Sequence, residues 1–180
     1  MIETARLVLR PFTADDVPAM VAGLDNFAVA RNTGRVPFPY GEDEARAFLK
    51  RVAEDDTPSV HRAIALRSAP ERLIGGIGLV TDTPRRAELG YWLTEPLWGR
   101  GLITEAARAF TDHAFGHCGF ATLLASVHIG NEASRRILLR LGFAPLGEGT
   151  SFSQARGEDV PVEFMELERR RWRQNRITGL

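Results

Sequence analysis

The sequence predicts one mixed α/β domain over residues 1–180, a central, mostly antiparallel sheet flanked by helices. Three observations predict it. A chain of 180 residues, 44% hydrophobic and 26% charged, can fill one core and has the composition of an ordinary globular protein. Strand-like and helix-like stretches are interleaved irregularly, without the strict alternation that a doubly wound parallel sheet requires. Three strand-like runs also follow one another with only turns between them, which reads as an antiparallel meander.

Taken in order, residues 4–10 alternate and predict a first strand. Thr13 is a helix N-cap followed by Asp15 and Asp16, and Val17, Met20, Val21 and Leu24 make the apolar stripe of the helix it opens. Asn32 to Gly41 is a Pro/Gly-rich loop carrying aromatics. A second helix is predicted from Glu42 to Ala53, with Ala45, Phe48, Leu49 and Val52 inward. The meander comprises residues 61–67, a turn at Ser68–Arg72, a glycine-rich strand at 73–80, and an aromatic-rich strand at 88–93. A helix at 104–117 and a strand at 123–128 follow, then a helix from Asn131 to Leu141 stopped by Gly142. Residues 143–147 and 160–167 close the sheet as a hairpin joined by a polar loop at 149–159. The arginine-rich end, Glu168 to Arg176, reads as a solvated helix with Trp172 packed down.

Composition narrows the function classes. A formal net charge of +0 offers no field for nucleic acid, which is not expected as a partner. No apolar run approaches the roughly twenty residues of a membrane span, and Met1-Ile2-Glu3 lacks the basic and apolar regions of a signal peptide. The single cysteine, Cys118, excludes an internal disulfide and a cysteine zinc site. A cytoplasmic protein without a metal is the expectation.

The sharpest chemical signal is Leu97 to Ala106, where Gly99-x-Gly101 sits between the 88–93 strand and the 104–117 helix. A glycine turn feeding a helix N-terminus presents unpaired N–H groups and the positive end of the helix dipole, a setting for pyrophosphate. The spelling fits neither a P-loop, which needs Lys and Ser/Thr after the second glycine, nor the dinucleotide fingerprint, since Thr104 stands where its third glycine belongs.

The run from Trp98 to Ala106, W-G-x-G-x-x-T-E-A, resembles the acetyl-coenzyme A loop of the GNAT superfamily of N-acyltransferases. Within that superfamily it is similar to the branch of ribosomal-protein-alanine (Rim-type) N-terminal acetyltransferases. Trp98 and Ile103 depart from the family consensus, which has Gln or Arg and then Gly or Ala at those positions. Two further stretches match in order: Thr4-Ala5-Arg6-Leu7-Val8-Leu9-Arg10-Pro11, and Asn131-Glu132-Ala133-Ser134 followed by Leu141-Gly142-Phe143. The resemblance implies a GNAT-like sheet whose strands splay apart around an acyl-pantetheine arm. It also implies acetyl-CoA as co-substrate, held by Leu93, Trp98, Gly99, Arg100, Gly101, Leu102, Ile103, Thr104, Asn131 and Ser134.

Acyl transfer from a thioester to an amine needs a proton acceptor for the amine, a donor for the developing oxyanion and a proton for the leaving thiolate. Ser134 is the residue the resemblance implies for the last task; otherwise it caps a helix. Asn131 either contacts the pantetheine or serves as N-cap, and both are compatible. Glu88 shares a strand face with Gly90 and Trp92, and is either the general base or a surface carboxylate paired with Arg85 or Arg86. Ser153 is the closest equivalent of a base used elsewhere in the branch, with Glu148 nearby; His61 and His128 are weaker candidates. Tyr40, Glu88 and Tyr91 are expected to contact substrate, in a pocket built from the 32–41 loop, the strand end near Glu88 and the 149–159 loop. The family implies backbone amides between Leu89 and Trp92 as oxyanion donors. Cys118, at a helix C-terminus, is read as structural. The expected activity is acetyl transfer to a primary amine, a protein N-terminus or a small molecule, by direct attack in a ternary complex. The alternative is an acyl-CoA-binding sensor without catalysis. Homodimers are common in the family, and Phe38 and Tyr40 are aromatics that would fit such an interface.

Overall fold

The computed structural model describes residues 1–57 and 59–178; Gly179 and Leu180, counted in the predicted domain, lie outside the described residues. The strands are β1 (Ile2–Glu3), β2 (Leu7–Arg10), β3 (Val60–Leu66), β4 (Ala69–Thr83), β5 (Arg86–Leu93), β6 (Thr122–His128), β7 (Ala144–Ser153) and β8 (Glu158–Glu168). They form one sheet in the order β1-β2-β3-β4-β5-β6-β8-β7, and every neighbouring pair is antiparallel except β5 with β6. The helices are α1 (Val17–Leu24), α2 (Phe27–Ala30), α3 (Glu42–Glu54), α4 (Leu102–Gly116), α5 (Glu132–Leu141) and α6 (Arg169–Thr178).

Alternate residues of a strand face opposite sides, so the sheet builds two cores. On one face Ile64, Leu79, Leu89, Leu123 and Val127 pack against Phe110 and Phe115 of α4 and Leu138 of α5. On the other, Val17, Met20 and Leu24 of α1 and Ala45 of α3 pack with Ala63, Leu73 and Trp92. That second layer lies towards β2, and Leu146 and Phe152 of β7 and Phe164 of β8 are left exposed.

The feature that positions the site is where β5 and β6 part. Their parallel pairing runs only through Arg86↔Thr122, Ala87↔Leu123 and Glu88↔Leu124. Beyond it β5 continues against β4 as far as Gly75↔Leu93, and β6 continues against β8 as far as His128↔Val162. The two strands therefore open into a wedge with Glu88 at its apex.

Three sequence expectations are corrected. The predicted strand over 4–10 is a tight hairpin: Thr4 N–H donates to the Leu7 carbonyl (2.9 Å), and Ile2 pairs with Leu9. The reason is Glu105 of α4, which accepts hydrogen bonds from Thr4 Oγ1 (2.6 Å) and from the Arg6 amide (2.8 Å) and so turns the chain at that point. The predicted loop at 149–159 is mostly strand, because β7 and β8 stay paired to Ser153↔Glu158 and only 154–157 turn. The turn expected at Ser68–Arg72 is shorter, β4 beginning at Ala69; Arg10 secures that start by donating to the Pro70 (2.7 Å) and Glu71 (2.9 Å) carbonyls. At the other end of the chain Trp172 is packed down, its Nε1 donating to Asp112 (2.6 Å) and its ring 5.3 Å from that of Phe115.

Candidate active site

The start of α4 is a glycine turn that leaves its backbone exposed. Gly99 (φ +73°) and Gly101 (φ +72°) both take the left-handed conformation that side chains disfavour. A Cβ on Gly99 would meet nothing within 4 Å, so the backbone there is open to close approach. Glu105 N–H is bonded to the Gly101 carbonyl (3.1 Å), and the amides of Leu102, Ile103 and Thr104 precede it in the first turn, where helix N–H groups lack intrahelical partners. Arg6 holds this turn from outside, donating from Nε to Glu105 (2.7 Å) and from Nη1 to the Arg100 carbonyl (2.9 Å). Burial raises the Glu105 pKa, but hydrogen bonds from Thr4, the Arg6 amide and the Arg6 guanidinium outweigh it and hold the carboxyl below its usual range. Trp98, the departure from the family spelling, has a structural reason: its Nε1 donates to the Leu93 carbonyl (2.8 Å) and ties the loop to the end of β5.

On the helical side of the wedge, Asn131 caps α5, its side chain accepting from the Ser134 amide (3.2 Å). That leaves the Ser134 hydroxyl free of the capping task, and it shares a 2.9 Å hydrogen bond with the Tyr91 hydroxyl. Burial pushes the Tyr91 phenol up to about 12, against the Ser134 hydrogen bond, so it keeps its proton at neutral pH.

On the opposite face, Glu88 is bound across the cleft. Its Oε2 accepts from Arg35 Nη2 (2.6 Å) and its Oε1 from Ser126 Oγ (2.9 Å). These groups open on a cleft of about 320 Å³ whose walls include Val80, Leu146 and Phe164. The 32–41 loop is tied to the hairpin tip, Gln154 N–H donating to the Gly34 carbonyl (3.0 Å), and to β6, His128 Nδ1 donating to the Arg31 carbonyl (3.0 Å).

Other sequence candidates fall elsewhere. Tyr40 is 5% exposed and packs in the second core, where burial pushes its phenol up to about 12. Phe38 remains exposed and lies 5.2 Å from the Phe27 ring. The Leu93 and Leu102 side chains are buried in the first core, so only their backbone can face a ligand, and Ile103 also packs towards that core. Ser153 is fully buried with its hydroxyl unpartnered, which removes it as a base. His61 packs edge-on against Phe48 (5.6 Å), and burial lowers its pKa. Arg100 is exposed and donates to the Pro96 carbonyl (3.2 Å). The partners Arg35, Ser126 and Tyr91 were not readable as such: no spacing links Arg35 to Glu88, 53 positions apart, or Tyr91 to Ser134, 43 apart. Among the described residues no group of three or more His, Cys, Asp or Glu could hold a metal ion, and no helix is long and apolar enough to cross a membrane.

Comparison with known proteins bears on this geometry. The model of the acetyltransferase (GNAT) domain family matches residues 6–144. An uncharacterized N-acetyltransferase of Bacillus subtilis, YoaA, is 32% identical over 151 residues, covering 82% of this chain and 84% of that protein. The ribosomal-protein-serine acetyltransferase of Escherichia coli is 32% identical over 75 residues, 41% of this chain and 42% of its own. The spermidine N-acetyltransferase from Vibrio cholerae, solved with CoA and spermine, superimposes with a TM-score of 0.79 at 18% identity, over 94% of this chain and 99% of that one.

Proposed function

The chain belongs to the GNAT acetyltransferase family and is an acetyl-CoA-dependent N-acyltransferase; from that premise we propose that it moves the acetyl group directly to a primary amine in a ternary complex. The observation that carries this reading is the wedge between β5 and β6, with a carboxylate on one face, a hydroxyl pair on the other, and the open N-terminus of α4 beside it. The Gly99–Thr104 backbone fits a pyrophosphate, and Asn131 and Ser134 would flank the pantetheine arm. When bound, acetyl-CoA supplies an activated thioester and a thiolate leaving group.

The chain's own residues divide the proton work. Glu88 Oε2, once Arg35 yields it, accepts the proton of the incoming ammonium. Tyr91 Oη keeps its proton and shares a hydrogen bond with Ser134 Oγ; with Tyr91 as the donor of that bond, the Ser134 hydroxyl proton would be left for the leaving sulfur. Backbone amides of β5 beyond Glu88, which no longer pair with β6, would receive the oxyanion. A covalent acyl-enzyme is disfavoured by the position of the one cysteine. Cys118 lies past the far end of the 15-residue α4, about 22 Å along the helix from the glycine turn, and burial pushes its thiol up.

Isothermal titration with acetyl-CoA tests the reading, with NADH and ATP as controls. Selective micromolar binding of acetyl-CoA is expected, and thiol release with an accepted amine should fall at least about a hundredfold in Glu88→Gln. Acetyl-CoA binding no tighter than that of NADH or ATP would overturn it.

A further inference from the structure

The contacts of Glu88 narrow the acceptor, granted the transferase reading above. Arg35 is held at the cleft by its backbone neighbours, since the Gly34 carbonyl is bonded to the hairpin tip and the Arg31 carbonyl to His128. Its side chain is 63% exposed, and its one side-chain partner among the described residues is Glu88. Among the described residues that line the cleft, Glu88 is the only acid and Arg35 the only base.

An ammonium that approaches Glu88 competes with Arg35 for the same carboxylate. The guanidinium is always charged, so a plain amine leaves two cations side by side with one anion between them. An amine that brings its own anion resolves this: the ammonium pairs with Glu88 and the anion with Arg35, so one ion pair becomes two. Guanidinium groups favour carboxylate and phosphate for such exchange, because their fork donates two parallel hydrogen bonds. A polyamine brings only further positive charge. The apolar wall of Val80, Leu146 and Phe164 suits a hydrophobic body on the same molecule.

We propose that the acceptor is an amine bearing a carboxylate or phosphate a few bonds from its nitrogen, and that Arg35 is the residue that selects it. A free α-amino acid and a peptide N-terminus followed by an acidic residue share this chemistry. The test is isothermal titration of the full-length protein saturated with CoA. Its probes are L-phenylalanine against L-phenylalaninamide, the tripeptide amides Ala-Asp-Phe and Ala-Asn-Phe against each other, and spermidine. The anionic member of at least one pair should bind about tenfold tighter than its neutral match, spermidine should bind weakest, and the discriminating pair identifies the source. Arg35→Gln should abolish the difference and Arg35→Lys keep part of it. Equal or tighter binding of both neutral members, or a preference unchanged in Arg35→Gln, would overturn the proposal. Discrimination in binding without thiol release when acetyl-CoA replaces CoA would uphold Arg35 as selector and overturn the transferase reading; release without discrimination would do the reverse.

Discussion

Ser134 and Tyr91 show how one hydrogen bond separates a structural role from a chemical one. A serine in the first turn of a helix often caps a backbone N–H, but here Asn131 performs that task and the serine hydroxyl points to a tyrosine across the wedge. The substitution Ser134→Ala should therefore lower kcat by about ten- to a hundredfold while the KM for acetyl-CoA changes little. Tyr91→Phe should lower kcat less, and the double variant should be no slower than Ser134→Ala, because Tyr91 acts through Ser134. Additive losses in steady-state thiol-release assays would give Tyr91 an independent role. The motif around Asn131 made Ser134 legible in the sequence. Tyr91 was legible as a strand aromatic expected to contact substrate but not as the partner of Ser134, since that pairing depends on which helix packs over it.

At the scale of elements, α4 and its turn carry the co-substrate reading. A Cβ at Gly101 would meet only the Arg6 guanidinium, at 3.6 Å, so the cost that valine brings is foremost conformational: a β-branched residue at φ +72°. Gly101→Val should unwind the turn, misdirect the first amides of α4 and weaken acetyl-CoA at least tenfold in titration, while far-UV circular dichroism stays native. Unchanged affinity in the folded variant would mean that the amides at 102–104 do not hold the ligand. The two motifs that the sequence set 99 positions apart, at Arg6 and Glu105, prove to be one unit. The opening motif folds back into a hairpin because its threonine and arginine are bound to that glutamate, a demand that periodicity does not encode. The extended β7–β8 hairpin was missed for a similar reason: a run of polar residues looks like loop until its strand partners are known.

The whole molecule should lose stability in acid in two stages. Burial lowers the pKa of His61 and His128, so between their folded values and the ordinary histidine value the unfolded chain binds more protons, and stability falls as pH drops below about 6.5. Asp16, 2% exposed, follows: burial raises its pKa, but hydrogen bonds from the Arg10 guanidinium and the Thr13 amide hold it below the usual range. Its contribution, like that of Glu105, is complete above the unfolded carboxylate value near 4 and is lost as pH falls through the folded one. Urea unfolding at several pH values should show stability declining between pH 6.5 and 5 and more steeply below 4, with the first decline reduced in His128→Gln. A flat profile down to pH 5 would mean that these histidines ionise equally in both states.

What the sequence determined by itself were the properties carried by neighbours along the chain. Helix and strand periodicity, the caps at Asn131 and Gly142, and the glycine turn before α4 are local, and local order sufficed for the fold class, the family resemblance and the co-substrate. Tertiary structure alone decided the long-range pairings: Arg35 and Ser126 on Glu88, Tyr91 on Ser134, Glu105 on Thr4 and Arg6. Each joins residues 38 to 101 positions apart. Such contacts depend on sheet order, on where β5 and β6 stop pairing, and on which face each side chain takes, and a one-residue shift of register reverses every one of those faces.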